Sequence, residues 1–387
     1  MMFEKVKGDK VIWIIAILLS VLSLLVVYSS TGSLAYLRQG GNTEFYLMKQ
    51  FIIVVLGLML MYFTQMIPYK YFSLSSTFLY VIAVLLLLFT VIFGPSINGA
   101  RRFLPIPGTG LTFQPSDMAK LVLMMFIARF LAKNQEQIKS FKSGFLYIII
   151  PVILICGLIL PGNFSTAAMV FLTSLILLFI GRANIYHILI LIVVGMMSVG
   201  VLYNIGTNHP DVIERSRTWV HRINQFISPD EEQVWQVEQS KIAIATGGLI
   251  GKMPGNSTQR NFLPHPYSDF VFAIIVEEYG LIGGLLIVLL YLILMFRSVK
   301  IARRSTMKFG SFLAIGISLL MVFQALINMG VAVNLLPVTG QTLPLISMGG
   351  TSFWFTSIGI GVILSVSRNV EEEAKEKDHL QYQYATA

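Results

Sequence analysis

Residues 11–28 read VIWIIAILLSVLSLLVVY, a run of 18 positions without a charged side chain. A helix that crosses a bilayer needs about 20 mostly apolar residues, because the hydrocarbon core is about 30 Å thick. A secretory signal has a shorter apolar core and a cleavage site of small residues. The run therefore predicts an uncleaved first transmembrane helix.

The rest of the chain repeats this pattern. Of its 387 residues, 55% are hydrophobic and 12% are charged, and the mean hydropathy is +0.75. Soluble domains have about 25% charged residues, so the bilayer must be the solvent here. The sequence predicts an all-α integral membrane protein, a polytopic bundle of about ten transmembrane helices. The predicted spans are 11–30, 46–66, 73–94, 115–132, 144–161, 164–181, 185–204, 270–296, 310–333 and 347–367.

The positive charges of the short loops lie mainly on one side of the predicted bundle. That side carries, among others, Lys5, Lys7, Lys10, Lys133, Lys139, Lys142, Arg297, Lys300, Arg303, Arg304 and Arg368. The short loops of the other side carry little besides Arg38, Arg101 and Arg102. Because lysine and arginine concentrate in cytoplasmic loops, both termini are predicted to be cytoplasmic. An even number of spans agrees with that orientation.

This topology divides the chain into a membrane domain and a tail, and it gives the membrane domain one long loop. Residues 1–367 form one membrane domain, and the polar tail 368–387 is predicted to be disordered. One long extracytoplasmic loop, residues 205–269, contains Trp219 and Trp235 and is expected to lie on the membrane surface. A loop of this length in a compact protein is usually functional.

Composition also excludes several classes of function. The chain has one cysteine, Cys156, and its five histidines form no metal-binding motif, so neither a disulfide framework nor a zinc site is expected. The net charge of +9 would suggest nucleic-acid binding in a soluble protein. Here the charge flanks membrane spans, so no nucleic-acid partner is expected.

The first polar cluster is NGARRFLPIPGTGLTFQPSDMAK, residues 98–120. Arg101 and Arg102 are adjacent cations at the outer face, and Lys120 lies one turn inside span four. Two arginines and a lysine around a cavity would suit a pyrophosphate. Contact of the arginines with lipid headgroups and a snorkelling Lys120 explain the pattern equally well.

The second cluster is NFLPHPYSDFVFAIIVEEYGLIGG, residues 261–284. Asp269 opens span eight, where a carboxylate could be a general base or a helix cap. Glu277 and Glu278 follow inside the apolar helix, and a structural ion pair is favoured over catalysis for both. His265 could orient a group or bind substrate, although a surface histidine is the simpler interpretation.

The third cluster is NLLPVTGQTLPLISMGGTSFW, residues 334–354. Its prolines and glycines interrupt the helical pattern at the outer face, where non-helical backbone is tolerated if it lines a cavity. Gly349 and Gly350 would allow close approach of a ligand, or they could serve a simple reversal between spans. Under one topology all three clusters meet on the same side, which predicts an outward-facing polar site without naming a reaction.

These residues resemble the FtsW/RodA family, also called SEDS proteins, over nearly the whole chain. NGARRFL with FQPSDMAK is similar to the family's NGARRW and FQPSE-x-x-K. HPYSDFVFAIIVEEYGLIGG and LLPVTGQTLPLISMGGTSFW resemble H-T-D-F-I-F-A-x-x-x-E-E-x-G-x-x-G and L-P-x-x-G-x-T-L-P-x-I-S-Y-G-G-S-S. The order of the motifs and the ten predicted spans also fit this family.

The resemblance implies a peptidoglycan glycosyltransferase of a bacterial cytoplasmic membrane that polymerises lipid II and works with a class B penicillin-binding protein and membrane proteins of the division machinery. It assigns the catalytic role to Asp269. Substrate binding would fall to Arg101, Arg102, Gln114, Lys120, His265, Ser268, Gly349 and Gly350. No cofactor is certain, and a divalent cation, Mg²⁺ or Mn²⁺, at Asp269 stays open.

The chain departs from the family pattern at three positions. Asn163 stands where the family's QPDLGTA motif has its aspartate, which puts a role for that carboxylate in doubt. Ser268 replaces a threonine and keeps the hydroxyl. Met348 replaces the tyrosine of SYGG and loses its hydrogen bond.

Other functions also fit part of the pattern. The wording TLPLIS resembles the division branch, and an elongation-type polymerase of the RodA kind is the nearest alternative. A lipid II flippase or transporter would also explain broken helices and charged bundle residues. A division scaffold without chemistry would give no reason for a carboxylate beside cations.

Overall fold

The computed structural model describes residues 7–96, 99–106, 108, 111–208 and 231–386, together with positions 220, 222, 224 and 226. Lys5 and Trp219 lie outside this part of the chain, as does the side chain of Arg38. The helices are Lys10–Ser30 (α1), Gly32–Gln39 (α2), Thr43–Met66 (α3), Tyr69–Phe93 (α4), Pro115–Lys133 (α5), Leu146–Ile159 (α6), Phe164–Ile180 (α7), Ile185–Asn208 (α8), Glu231–Gly247 (α9), Val271–Arg304 (α10), Lys308–Ala332 (α11) and Gly350–Thr386 (α12).

The structure confirms the all-α membrane fold. Each of the ten predicted spans coincides with one helix, and a π-helical turn, Phe141–Phe145, precedes α6. Within the described residues, eight helices are long and apolar enough to cross a membrane. Of the other two, α7 is a shorter apolar helix and α5 carries charged residues along its length. Charges in a buried helix of a membrane bundle are costly and therefore point to function.

The centre of the bundle is formed by α5 and α11, two adjacent helices that are buried along most of their length. Around α5 pack α4, α6, α7 and α12, and α11 also packs against α10. The side chains of Leu123, Met124 and Ile127 on α5 are fully buried. By contrast, α8 buries only Ile188 and Gly206 and exposes an apolar surface along its length, as expected for a helix in contact with lipid.

The start of α1 and the start of the tail lie at one end of the bundle, which we call the terminal end. Lys7 Nζ is 3.0 Å from Glu372 Oε1, and Arg297 Nε donates to Asp9 Oδ2 over 2.8 Å. At the opposite end, a small antiparallel hairpin pairs β1 (Leu104–Ile106) with β2 (Leu111–Phe113). Segments 248–269 and 333–349 lie at that same end.

The polar tail differs from its prediction. Residues 368–386 continue α12 as a helix, whereas the sequence predicts a disordered tail from 368. Arg368 donates to the Met66 carbonyl over 2.9 Å, and Thr306 Oγ1 donates to Glu373 over 2.7 Å. Contacts of this kind to neighbouring loops, together with alternating charges along the helix, support helical structure that composition alone does not indicate.

The long loop also differs from its prediction. The first part of the predicted loop is helical, because α8 continues to Asn208, and residues 231–247 form α9, which packs against α10. Ser240 on α9 donates to the Ala332 carbonyl over 2.7 Å, and Ala243 is fully buried. The described part of this loop is therefore a packed element of the fold and does not merely lie on a membrane surface.

Candidate active site

A cavity of about 860 Å³ opens at the end of the bundle opposite the termini. Its wall combines the β1–β2 hairpin, α5, α7, α11 and the two segments that precede α10 and α12. The polar residues that the sequence predicts to meet there and that do line this cavity are Arg102, Gln114, Lys120, His265, Ser268 and Asp269. The three motifs therefore converge on one site.

Asp269 is fixed from several directions at the start of α10. Ser268 Oγ donates to Asp269 Oδ1 over 2.9 Å, and Asn328 Nδ2 on α11 donates to the Asp269 backbone carbonyl over 3.0 Å. The carboxylate is partly exposed to the cavity. Gly340 lies beside it, and a Cβ at that position would be 3.6 Å from Asp269 Oδ2. A side chain longer than alanine at 340 would therefore crowd the carboxylate.

The cavity perturbs the ionisation of Asp269. Burial raises the pKa of this carboxyl above its ordinary value. The hydrogen bond from Ser268 and the charge of His265 offset part of that rise in pKa. The guanidinium groups of Arg102 and Arg222 lower the pKa of the same carboxyl further, but burial prevails. A carboxylate with a raised pKa is a better proton acceptor near neutral pH.

Two arginines face this carboxylate across the cavity. The guanidinium of Arg102 lies 4.9 Å from the ring centroid of Phe103, and its Nε is buried without a hydrogen-bond partner among the described residues. Burial lowers the pKa of both Arg102 and Arg222, and the charge of Asp269 counteracts this. Arginine keeps its proton in proteins, so both are partly desolvated cations suited to an anionic ligand.

Lys120 occupies the deeper wall of the cavity in a chain of polar contacts. Its Nζ is 2.8 Å from Asp117 Oδ1 and donates to Gln324 Oε1 over 2.8 Å. Gln324 Nε2 in turn donates to the Thr342 carbonyl over 2.8 Å. Lys120 and Asp117 are only 7% and 4% exposed, so neither snorkels to a membrane surface. This burial argues against the snorkelling interpretation of Lys120.

The segment before α12 braces the residues around Asp269. Ser347 Oγ donates to the Ser268 carbonyl over 2.8 Å, and the Met348 amide donates to the Tyr267 carbonyl over 2.9 Å. His265 has a left-handed backbone, with φ of 55°, and its Nδ1 is 3.1 Å from the Tyr267 hydroxyl. The SMGG motif thus supports the site through the Ser347 hydroxyl and the Met348 amide, and neither contact requires the phenol that Met348 lacks.

Some residues predicted to bind substrate lie elsewhere. Arg101 is exposed, and its Nη1 donates to the Ile92 carbonyl over 3.0 Å. Gly349 and Gly350 mark the start of α12 and are absent from the described cavity wall. Both arginines lie in the irregular segment before β1, and only Arg102 lines the cavity.

Glu277 and Glu278 also lie away from the cavity. Glu277 is fully buried and accepts from Lys252 Nζ over 2.7 Å, Ser257 Oγ over 2.5 Å and Thr258 Oγ1 over 2.8 Å. Glu278 accepts a hydrogen bond from Ser29 at the end of α1. This geometry supports the structural role that the sequence favours for the two glutamates.

Sequence reasoning missed several residues of the site. Arg222 comes from the long loop, where no motif marks it. Gln324 and Gln341 are uncharged residues in apolar or proline-rich parts of the sequence, and both line the cavity. Asn163 also lines it, and its side chain caps α7 by accepting from the Thr166 amide over 3.1 Å. Because asparagine caps a helix about as well as aspartate, the departure at Asn163 preserves that structural role.

The described residues contain no group of three or more His, Cys, Asp or Glu side chains that could hold a metal ion. Asp269 is accompanied in the cavity wall by Asp117, but that carboxylate is already paired with Lys120. A cation at Asp269 would therefore need most of its remaining ligands from substrate or water, which is how Mg²⁺ is often bound beside phosphates.

Comparisons with known proteins agree on the class of this chain. The family model described as cell cycle protein, for FtsW, RodA and SpoVE, matches residues 9–372. Stage V sporulation protein E of Bacillus subtilis is 33% identical over 375 residues, covering 94% of this chain and 98% of that protein. A probable peptidoglycan glycosyltransferase FtsW of Coxiella burnetii is 33% identical over 370 residues, covering 93% and 96%.

Solved structures share the fold. A chain of a peptidoglycan synthase complex, described as coordinating polymerization and crosslinking, matches with a TM-score of 0.74 and 23% identity over 94% of this chain and 98% of that one. The rod shape determining protein RodA of Thermus thermophilus matches with a TM-score of 0.67 and 24% identity, covering 94% and 97%.

Proposed function

The chain belongs to the FtsW/RodA/SpoVE family of cell cycle proteins, and from that premise we propose that it is a peptidoglycan glycosyltransferase that polymerises lipid II. It is a multi-pass protein of a bacterial inner membrane. The observation that carries the proposal is the single cavity in which Asp269 faces Arg102 and Arg222. Glycosyl transfer from a lipid pyrophosphate needs both a base and cations, and this cavity contains both.

Asp269 is the general base in this mechanism. The nucleophile is the 4-hydroxyl of the acceptor sugar, which is weak unless its proton is removed during attack. The hydroxyl oxygen bonds to the anomeric carbon of the donor sugar, the bond from that carbon to the pyrophosphate oxygen breaks, and the proton passes to Asp269. The products are a lengthened glycan and undecaprenyl pyrophosphate. The raised pKa of Asp269 favours proton acceptance.

The arginines stabilise the leaving group. Negative charge grows on the pyrophosphate as its bond to the sugar breaks, and preorganised cations lower the energy of that transition state. Arg102 and Arg222 both line the cavity as partly desolvated cations, which supports charge-assisted hydrogen bonds from their guanidinium groups to phosphate oxygens. Lys120 is already paired with Asp117, so its role is to set the charge and shape of the deeper wall.

The apolar wall of the cavity supports a lipid-linked substrate. Leu172 on α7 and Leu326 on α11 line the cavity, and both side chains are exposed. The cavity therefore offers apolar surface beside its polar groups. A polyprenyl chain can remain in the bilayer while its pyrophosphate and sugar enter the polar interior.

A divalent cation is compatible with the mechanism. Asp269 and the two phosphates of the substrate would supply oxygen ligands of the kind that Mg²⁺ or Mn²⁺ prefers. Such an ion would add positive charge at the leaving group. The roles of Asp269, Arg102 and Arg222 given above do not depend on it.

Septal synthesis with a partner is the biological setting that we propose. The relatives named FtsW and the wording TLPLIS support the division branch, with an elongation role as the alternative. The likeness to a chain of a synthase complex supports a class B penicillin-binding protein as partner, next to other division proteins. The cavity end would then face outward, where lipid II and the partner's domain meet.

A lipid II transporter is the second candidate. Alternating access would place polar residues along a path between both ends of the bundle. In the described chain, the polar residues of the cavity are confined to one end, while α5 and α11 close the other with apolar packing. This asymmetry favours the enzyme.

The test is polymerisation of lipid II by the purified protein with its partner. We expect glycan strands from the wild type and a loss of about 10²–10⁴-fold in Asp269→Asn, the usual contribution of a general base. Asp378→Asn, at an exposed position of the tail, is the matched control and should keep full activity. Near-normal polymer from Asp269→Asn would remove this residue from the mechanism. A wild type that moves lipid II across vesicles without polymerising it would support the transporter.

A further inference from the structure

The helix that follows Asp269 is interrupted at Gly280, whose backbone has φ of 72° and ψ of −176°. In a continuous helix, the amides of Leu281 and Ile282 would donate to the carbonyls of Glu277 and Glu278. Here these amides donate to the carbonyls of Gly248 and Leu249, over 2.9 and 3.3 Å. The helical hydrogen bonds at this point are therefore absent.

A segment of the long loop takes their place. The Lys252 amide donates to the Glu277 carbonyl over 2.9 Å, and the Met253 amide donates to the Glu278 carbonyl over 3.0 Å. Residues 248–253 thus form four backbone hydrogen bonds with residues 277–282, where a straight helix would form two of its own. We call this pairing the clasp.

Glycines make the clasp sterically feasible. A Cβ at Gly247 would lie 2.1 Å from the Val276 carbonyl oxygen. A Cβ at Gly251 would lie 2.3 Å from the Glu278 carbonyl oxygen, and one at Gly280 would lie 2.2 Å from the Leu249 carbonyl oxygen. Gly251 and Gly280 also have positive φ, of 90° and 72°, which side chains disfavour. The two backbones can approach this closely only because these three residues lack a Cβ.

Side-chain contacts also hold the clasp together. The Lys252 ammonium pairs with the Glu277 carboxylate, and Ser257 donates to the same carboxylate. On the other face, Arg260 Nη1 donates to the Ser29 carbonyl over 2.9 Å, while the Ser29 hydroxyl donates to Glu278. The clasp therefore links the half-helix 271–279 both to the loop and to the end of α1.

We propose that the clasp positions Asp269 for reaction by holding α10 bent at Gly280. Asp269 lies two residues before the half-helix 271–279, so the direction of that half-helix sets where its carboxylate points. If the clasp opens, Leu281 and Ile282 can bond to Glu277 and Glu278, and α10 becomes one straight helix. The carboxylate is then withdrawn from Arg102 and Arg222. This inference rests on the proposed function, in which Asp269 is the base.

Alanine substitutions test the clasp from each of its two segments, 248–253 and 277–282. Gly251→Ala opens it from the loop, where a Cβ would collide with Glu278 backbone. Gly280→Ala opens it from the helix, and this variant should still fold because alanine suits a continuous helix better than glycine does. Gly41→Ala is the matched control for the strain of a positive φ, since Gly41 has φ of 92° and faces open space in the turn between α2 and α3, outside the clasp.

The readouts are the kinetics of lipid II polymerisation at equal folded protein and a distance between spin labels at the exposed positions Leu249 and Leu335. In Gly251→Ala and Gly280→Ala we expect kcat to fall about 100-fold, the cost of misplacing a reacting group by about 1 Å. KM should stay unchanged, because the arginines that bind the pyrophosphate are not on α10. The distance between the spin labels should change in both variants and not in Gly41→Ala.

The outcomes separate this inference from the proposed function. An active Asp269→Asn protein would contradict the function itself. If Asp269→Asn is inactive but Gly251→Ala and Gly280→Ala keep the kcat of Gly41→Ala, only the role of the clasp is overturned. A rise in KM with kcat preserved would also overturn it, because the clasp would then support binding and not the position of the base.

Discussion

At the scale of single residues, Asp269 must satisfy two opposing requirements. It must lie in a cavity dry enough to raise its pKa, and it must still be ionised in order to accept a proton. The hydrogen bond from Ser268 and the charge of His265 help to meet the second requirement, and Arg102 and Arg222 contribute as well, because all four lower the pKa that burial raises. The same cations serve the leaving group, so one pair of guanidinium groups adjusts the base and binds the pyrophosphate.

This dual role predicts a shift in pH dependence. Arg222→Met removes a positive charge that lowers the pKa of Asp269, so this pKa should rise. Because the base is active only when ionised, activity is lost as pH falls through its pKa. The acid limb of kcat/KM should therefore move to higher pH. The plateau value of kcat/KM above that limb should also decrease, because the leaving group loses one of its stabilising cations.

The measurement is kcat/KM for lipid II across the acid range, for Arg222→Met and the wild type. Lys139→Met removes an exposed cation at the terminal end and should leave the acid limb in place. An acid limb in Arg222→Met that stays put, or that moves to lower pH, would show that Arg222 does not influence the base.

The residues of the site were predictable where charge or a motif marked them. Asp269, Arg102 and Lys120 are ionisable residues near the end of apolar runs, where their cost demands an explanation. Gly340 was predictable only as a break in the helical pattern, because its contribution to the site is the absence of a side chain beside Asp269. Gln324 reaches Lys120 from a position 204 residues away, and a contact over that distance leaves no local pattern.

At the scale of helices, hydrophobic length predicted every span but not its interruptions. A run of 20 apolar residues is a local property, so α1, α3 and α4 are evident from the sequence. The break at Gly280 depends on hydrogen bonds to residues 248–253, which are distant in sequence. The glycine in the motif EEYG therefore gives no indication of which segment its backbone contacts.

Glycines also decide how closely the spans pack. Gly57 on α3 faces α12, and a Cβ there would lie 2.5 Å from Phe353 Cε1 and 2.9 Å from Ser357 Oγ. On the same interface, a Cβ at Gly361 would lie 2.7 Å from the Met61 carbonyl oxygen. Small residues allow helices to approach in a membrane, where van der Waals packing largely replaces the hydrophobic effect between them.

From the close contact between α3 and α12 we expect a larger side chain at Gly57 to destabilise the protein. Gly57→Ala should lower the free energy of unfolding by about 1–3 kcal/mol, the usual cost of overpacking. Gly157→Ala on α6 is the control, because a Cβ there meets nothing within 4 Å and alanine is the better helix former. The measurement is thermal unfolding in detergent. Equal midpoints for the two variants would mean that the α3–α12 interface can widen at little cost.

At the scale of the whole molecule, the two ends of the bundle differ in chemistry. The terminal end carries the start of α1, the tail and most of the lysines and arginines of the short loops, whereas the other end holds the cavity. The difference in charge between the two ends was predictable because it is a sum over many residues. Placing one residue wrongly changes that sum little. The shape of the cavity was not predictable, since it arises where three distant motifs meet.

The orientation of the molecule in the membrane is testable with single cysteines, because the native Cys156 is buried. Asn261 is exposed at the cavity end and Asp378 is exposed on the tail at the terminal end. The excess of positive charge at the terminal end predicts that this end is cytoplasmic. In intact spheroplasts, an impermeant thiol reagent should therefore label Asn261→Cys and spare Asp378→Cys, which should react only after lysis. The wild type sets the background from Cys156. The opposite pattern would place the cavity in the cytoplasm, where a polymerase of exported lipid II could not reach its substrate.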